Sequence, residues 1–113
     1  MQDQVLGKII DAKIDHRKGC IITIISDISV QQGDIAKFVF PNPDGSEGTQ
    51  YFKVEEVSII ESKLKVSMKE TGYCARALSR RQNFDIRSII GIDVIHINDP
   101  TVLAKVHEMS CWC

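Results

Sequence analysis

The residues with the most chemistry stand together near one end of the 113-residue sequence, in His107-Glu108-Met109-Ser110-Cys111-Trp112-Cys113. A Cys-x-Cys pair with a histidine four residues ahead of it supplies three soft or borderline ligands, His107, Cys111 and Cys113, within reach of one Zn²⁺ or Cu⁺. The spacing is not that of a zinc finger, and a fourth ligand has to come from elsewhere. The competing reading is a tail with two reduced thiols and an indole packed on the domain. His96 is the other candidate, but a histidine becomes a general base only with a partner and a pocket. The sequence has no G-x-S-x-G elbow, no G-x-x-x-x-G-K-[ST] loop and no G-x-G-x-x-G turn. Nucleophilic catalysis and nucleotide hydrolysis are therefore not expected, and neither is a resident cofactor.

Charge offers a second chemistry. The chain carries 14 Lys and Arg against 15 Asp and Glu, so its net charge of -1 provides no overall field for a polyanion. The charge is unevenly placed, however. The stretch from residue 63 to residue 87 contains seven basic and two acidic side chains, and acidic stretches flank it. Lys63, Lys65, Lys69, Arg76, Arg80, Arg81 and Arg87 make up this set. If they share a face, they can contact phosphates or an acidic partner; the alternative is an ordinary solvated face.

These residues need elements to position them. Hydrophobic residues make up 43% and charged residues 26% of the chain, an ordinary globular composition, and the length suits a single core. Up to about residue 97, β-branched residues alternate with closely spaced turn signals, which predicts an all-β barrel or sandwich. Strands are expected over residues 5–15, 20–25, 35–40, 50–60, 64–69, 73–78 and 89–97. The run Cys20-Ile21-Ile22-Thr23-Ile24-Ile25 is apolar enough to be covered on both faces. Leu64, Val66 and Met68 alternate with Lys63, Lys65, Ser67 and Lys69, which predicts one wet face. Gly33-Asp34 reads as a tight turn and Pro41 to Gly48 as a solvent-projecting loop.

Asn98-Asp99-Pro100 looks like a helix start, with Asp99 as the cap and Pro100 in the first position. Val102, Leu103, Val106 and Met109 then recur at helical spacing, which predicts a short amphipathic helix ending near Ser110. Such a helix is marginal alone and must dock on the barrel or on a partner. The expected organisation is a barrel over residues 1–98 and a helix with a cysteine-bearing tail over 99–113. The N-terminal residues carry no signal-peptide pattern and no stretch is long and apolar enough to span a membrane, so a cytoplasmic protein with reduced cysteines is expected.

Taken in order, several segments resemble the second domain of the translational GTPases, the β-barrel that follows the nucleotide-binding domain in elongation factor Tu. Arg17-Lys18-Gly19-Cys20-Ile21-Ile22-Thr23 is similar to that family's basic, glycine and aliphatic run with its threonine. Ile28 to Asp34 resembles the following Gly-acidic turn, and Val54 to Ile60 the strand before the variable hairpin. Glu70 to Leu78, Phe84-Asp85-Ile86-Arg87 and Ile89-Ile90-Gly91 resemble the family's Ala-Gly turn, Asp-Ile segment and closing strand. The resemblance covers residues 5–97 and implies a closed Greek-key β-barrel. In the family an acidic and a basic residue after the strand matching Val54 to Ile60 help hold the aminoacyl end of tRNA. Here Glu55, Glu56 and Glu61 stand near those positions, the arginine is absent and Lys63 is nearest to it. The GTPase domain is absent from this sequence, so the resemblance implies a detached barrel used for recognition.

Two uses follow from these features. One is a binding module that contacts RNA or an acidic protein through Lys63, Lys65, Arg76, Arg80, Arg81 and Arg87. The other is a protein-interaction subunit anchored by Val102, Leu103, Val106 and Met109.

Overall fold

Period-two alternation gives each strand one apolar face, and a sheet with one apolar face can bury it by closing on itself. A computed structural model of the chain describes residues 4–15, 17, 19–41, 44–70 and 85–110, with side chains up to Val106. Its strands are β1 (Gln4–Asp15), β2 (Gly19–Ser26), β3 (Ile35–Pro41), β4 (Glu47–Ile60), β5 (Lys63–Glu70) and β6 (Asp93–His96), followed by helix α1 (Pro100–Ser110). The strands form a closed barrel in the order β1-β2-β5-β4-β3-β6, and every neighbouring pair is antiparallel. The expected strand at residues 73–78 lies outside the described residues.

The interior is filled by side chains. Phe38 and Phe52 are fully buried with ring centroids 5.3 Å apart, and Phe40 lies 5.9 Å from Phe38 in a second tilted pair. Ile9, Ile22, Ile24, Val66, Met68 and Val94 close around them from the other strands. Each large apolar side chain buried in this way contributes roughly 1.5–3 kcal/mol. The wet face expected of β5 is present, with Val66 and Met68 buried and Lys63 and Lys65 exposed. On β2, Cys20, Ile22 and Ile24 point inward, while Ile21 is buried on the outer side.

β1 serves two neighbours. Gln4 to Lys8 pair with β6, whereas Ile9 to Asp15 pair with β2, and register shifts at Val5/Gly7 and Ile9/Asp11 bend the strand between them. At Gly7 the backbone runs so close to β2 that an added Cβ would lie 3.3 Å from the carbonyl carbon of Ile25 and nearer still to its oxygen. The second shift leaves Ile10 pointing outward and half exposed.

Two expectations are corrected. The segment expected as one strand over residues 89–97 begins instead as a 3-10 helix, Ile86–Ile89. Asp85 caps it by accepting from the backbone N–H of Arg87, and Ile89 drops into the core. Gly91 then turns the chain at φ 92° before β6 starts at Asp93. The second correction concerns Pro41 to Gly48, where the strands reach further than the turn-forming residues suggest: Phe40 pairs with Gly48 and Pro41 with Glu47. A glycine suits this strand position because the Phe40 ring occupies the space a side chain would need, 2.7 Å from an added Cβ.

Helix α1 begins as the sequence predicts, since the Asp99 carboxylate accepts from the backbone N–H of Thr101. It packs on the outside of the barrel, where Val106 is buried with Ile35 and Ile97, and Val102, Leu103 and Tyr51 pack around them.

Candidate functional site

With the interior occupied by side chains, the surface open to solvent is the outer wall. Strand pairing places Lys13 of β1, Ile21 of β2, Lys69 of β5 and Lys53 of β4 in one row across the outside of four adjacent strands. The next row is Asp11, Thr23, Ser67 and Glu56, and the one beyond it contains Ile25, Lys65 and Ser58. The wall is therefore striped, with lysines on either side of a row that carries two carboxylates.

Of the residues singled out in the sequence, Lys63 and Lys65 lie on the outer face of β5 as expected. Lys63 approaches Asp27 at 3.6 Å, a solvent-exposed pair of small energetic consequence. Arg87 is not on a barrel strand. It belongs to the 3-10 helix, 3.8 Å from Asp85, and the turn after that helix is hydrogen-bonded to β1 through Gly91 and Ile9. Arg76, Arg80 and Arg81 lie outside the described residues. Lys13 and Lys53 were not among the residues that sequence reasoning selected. Lys53 alternates with the buried Phe52 and Val54, whereas Lys13 stands between half-buried Ala12 and exposed Ile14, and the alignment of both with Lys69 depends on strand order, which no local pattern reveals.

The wall is indented beside β4. The register shift at Val54/Glu56 and the turn at Gln32-Gly33 enclose a shallow depression of about 360 Å³, lined by Gln32, Gly33, Lys53, Val54, Glu55 and Lys69. The turn is held rigidly. The Gly33 N–H donates to the Val54 carbonyl at 2.9 Å, the Val54 N–H donates to the Asp34 carbonyl at 2.8 Å, and the Asp34 carboxylate accepts from the Gln31 N–H at 3.0 Å. Gly33 supports this geometry with φ 94°. Asp34 also meets His96, whose Nε2 lies 3.2 Å from the Asp34 carboxylate. This contact ties the turn to β6 and gives His96 a structural partner.

At the other end of β5, Glu70 is buried and accepts a hydrogen bond from the Cys20 backbone N–H at 3.0 Å. The Cys20 thiol is pushed up to about 12, first by burial and then by the neighbouring Glu70 charge. A thiol buried and held protonated in this way is a poor nucleophile at neutral pH.

On α1, Val106 faces the barrel and Val102 and Leu103 are half buried against the same cluster. Val106 is thus covered by the barrel while Val102 and Leu103 keep part of their surface exposed; the Met109 side chain lies outside the described residues. Among the described residues no group of three or more His, Cys, Asp or Glu is placed to hold a metal. His107 sits in α1, but its side chain, Cys111 and Cys113 lie outside the described residues. No described helix is long and apolar enough to cross a membrane. Comparison with protein-family models, with curated proteins and with solved structures finds no match.

Proposed function

We propose that this chain is a non-enzymatic binding module, a Greek-key barrel of the kind that forms the second domain of translation factors, which contacts RNA or an acidic protein in the cytoplasm. The observation that carries the reading is the outer wall, where Lys13, Lys69 and Lys53 align across adjacent strands and Lys65 follows two residues along β5. The filled core supports it, since Phe38, Phe40 and Phe52 occupy the barrel interior and leave the lysines of β4 and β5 to the outer wall. The strand order β2-β5-β4-β3 supports the Greek-key part, because the chain leaves β2, passes over β5 and β4, and returns as a meander.

The test is fluorescence anisotropy with a mixed-sequence single-stranded RNA and with an acidic peptide, each titrated across a range of salt concentrations. Salt-dependent binding is expected, and the triple charge reversal K65E/R80E/R81E should weaken it at least about tenfold. Binding by neither probe, or unchanged affinity in that variant, overturns the proposal.

A further inference from the structure

Lys53 and Lys69 are direct partners in the β4–β5 pair, so two lysines project from neighbouring positions of the outer wall. Like charges placed directly opposite one another oppose strand pairing. Among the described residues neither lysine has a carboxylate partner within ion-pair distance. Both line the depression between the β4 register shift and the Gln32-Gly33 turn. Glu55, on the same rim, is engaged in an interaction of its own.

We infer that Lys53 and Lys69, with the amide of Gln32 beside them, form a seat for a single phosphate group, and that its natural occupant is a phosphodiester of an RNA backbone. This rests on the reading of the lysine-bearing wall as a binding face and names the ligand chemistry at one point on it. Two point-like cations on neighbouring strands suit a tetrahedral oxyanion, whose charge is spread over oxygens facing different directions. A flat carboxylate is matched best by the planar fork of an arginine, and the described lining of this depression contains none. The depression is open and shallow, so a chain can pass through it with one phosphate seated and its neighbours in solvent. Lys13 lies further along the same row, beyond Ile21, where it meets the continuation of such a chain. The carboxylates of Asp11 and Glu56 in the adjoining row repel the backbone from that side and confine it to the lysine row.

The test compares the full chain with the variant K53Q/K69Q. In wild type the unfolding temperature should rise with inorganic phosphate relative to chloride at equal ionic strength, and the variant should lose that rise. Unfolding in chloride alone checks that the variant is folded; removal of the opposed charges should leave it at least as stable as wild type. In the second arm, an oligouridylate should bind the variant about tenfold more weakly, with a salt slope smaller by roughly 0.7–1.4. A phosphate-induced rise that is absent from wild type, or equal in the two proteins, overturns the seat. Polyglutamate that binds as tightly as the oligouridylate and shows the same loss in the variant overturns the phosphodiester assignment. If K53Q/K69Q keeps full RNA affinity while K65E/R80E/R81E loses it, the seat fails and the binding face stands.

Discussion

Gly7→Ala is a substitution whose sign the structure decides. Alanine in place of glycine in a strand ordinarily gains about 0.4–1 kcal/mol, because the unfolded chain has less freedom to lose. At Gly7 the new methyl carbon would lie 3.3 Å from the Ile25 carbonyl carbon and well inside contact with its oxygen. Oxygen and methyl must separate by about 1 Å to reach an ordinary contact. Neither atom can swing away, since one is main chain and the other is fixed to it. The strain therefore falls on the crossing of β1 and β2, where β1 changes partner from β6 to β2. Overpacking of this kind costs about 1–3 kcal/mol. Subtracting the entropic gain leaves a net loss centred on roughly 1.3 kcal/mol and reaching about 2.6 kcal/mol. Urea unfolding followed by circular dichroism measures it as a lower midpoint with an unchanged slope. Gly7→Val should cost more than Gly7→Ala despite valine's preference for strands. Wild-type stability in Gly7→Ala, or a valine variant more stable than the alanine one, would refute the argument that backbone approach fixes this position.

Three further outcomes are expected. Val106→Ala removes the equivalent of two methylenes from the cluster under α1, which should lower stability by about 1.6 kcal/mol in chemical denaturation; a change below the error of the measurement would mean that the helix contributes nothing to the barrel. Glu61 occupies the first position of the β4–β5 turn at φ 57°, so Glu61→Gly should relieve strain and raise stability by about 0.5 kcal/mol in thermal unfolding, whereas a loss would contradict it. The Cys20 thiol, raised from 9.0 to about 12 on folding, stays protonated in the native state while the unfolded chain ionises, so its contribution is intact below pH 9 and is lost as pH climbs toward 12. Relative to Cys20→Ala, wild type should lose stability on the order of 1 kcal/mol between pH 8 and pH 10, and parallel pH profiles of the two proteins would count against it.

The elements legible in the sequence were those fixed by local chemistry. Alternation in β5, the Asp99-Pro100 helix start and the Gly33-Asp34 turn depend on residues within a few positions of one another, and all three form as their types dictate. What local pattern missed depends on distant partners. Nothing near Ile89 indicates that a 3-10 helix will insert it beneath the barrel, and nothing near Gly48 indicates that the Phe40 ring needs its space. The candidate site divides in the same way. Lys65 and Lys69 are read from one strand, whereas the alignment of Lys13 and Lys53 with Lys69 exists only once β1, β2, β5 and β4 lie side by side.

The order of the strands also governs how the chain is made. Val5 pairs with Ile95, and β2 finds its second neighbour in β5, whose Met68 pairs with Ile22. During synthesis the first hairpin can form early, but its two outer edges stay open, one until β5 has emerged and the other until β6 has. A nascent chain thus carries unpaired strands of high apolar content for most of its elongation, a stage at which edge-to-edge pairing between neighbouring chains competes with closure. Such long-range pairing slows folding, and the aggregation hazard ends only when β6 zips the barrel shut.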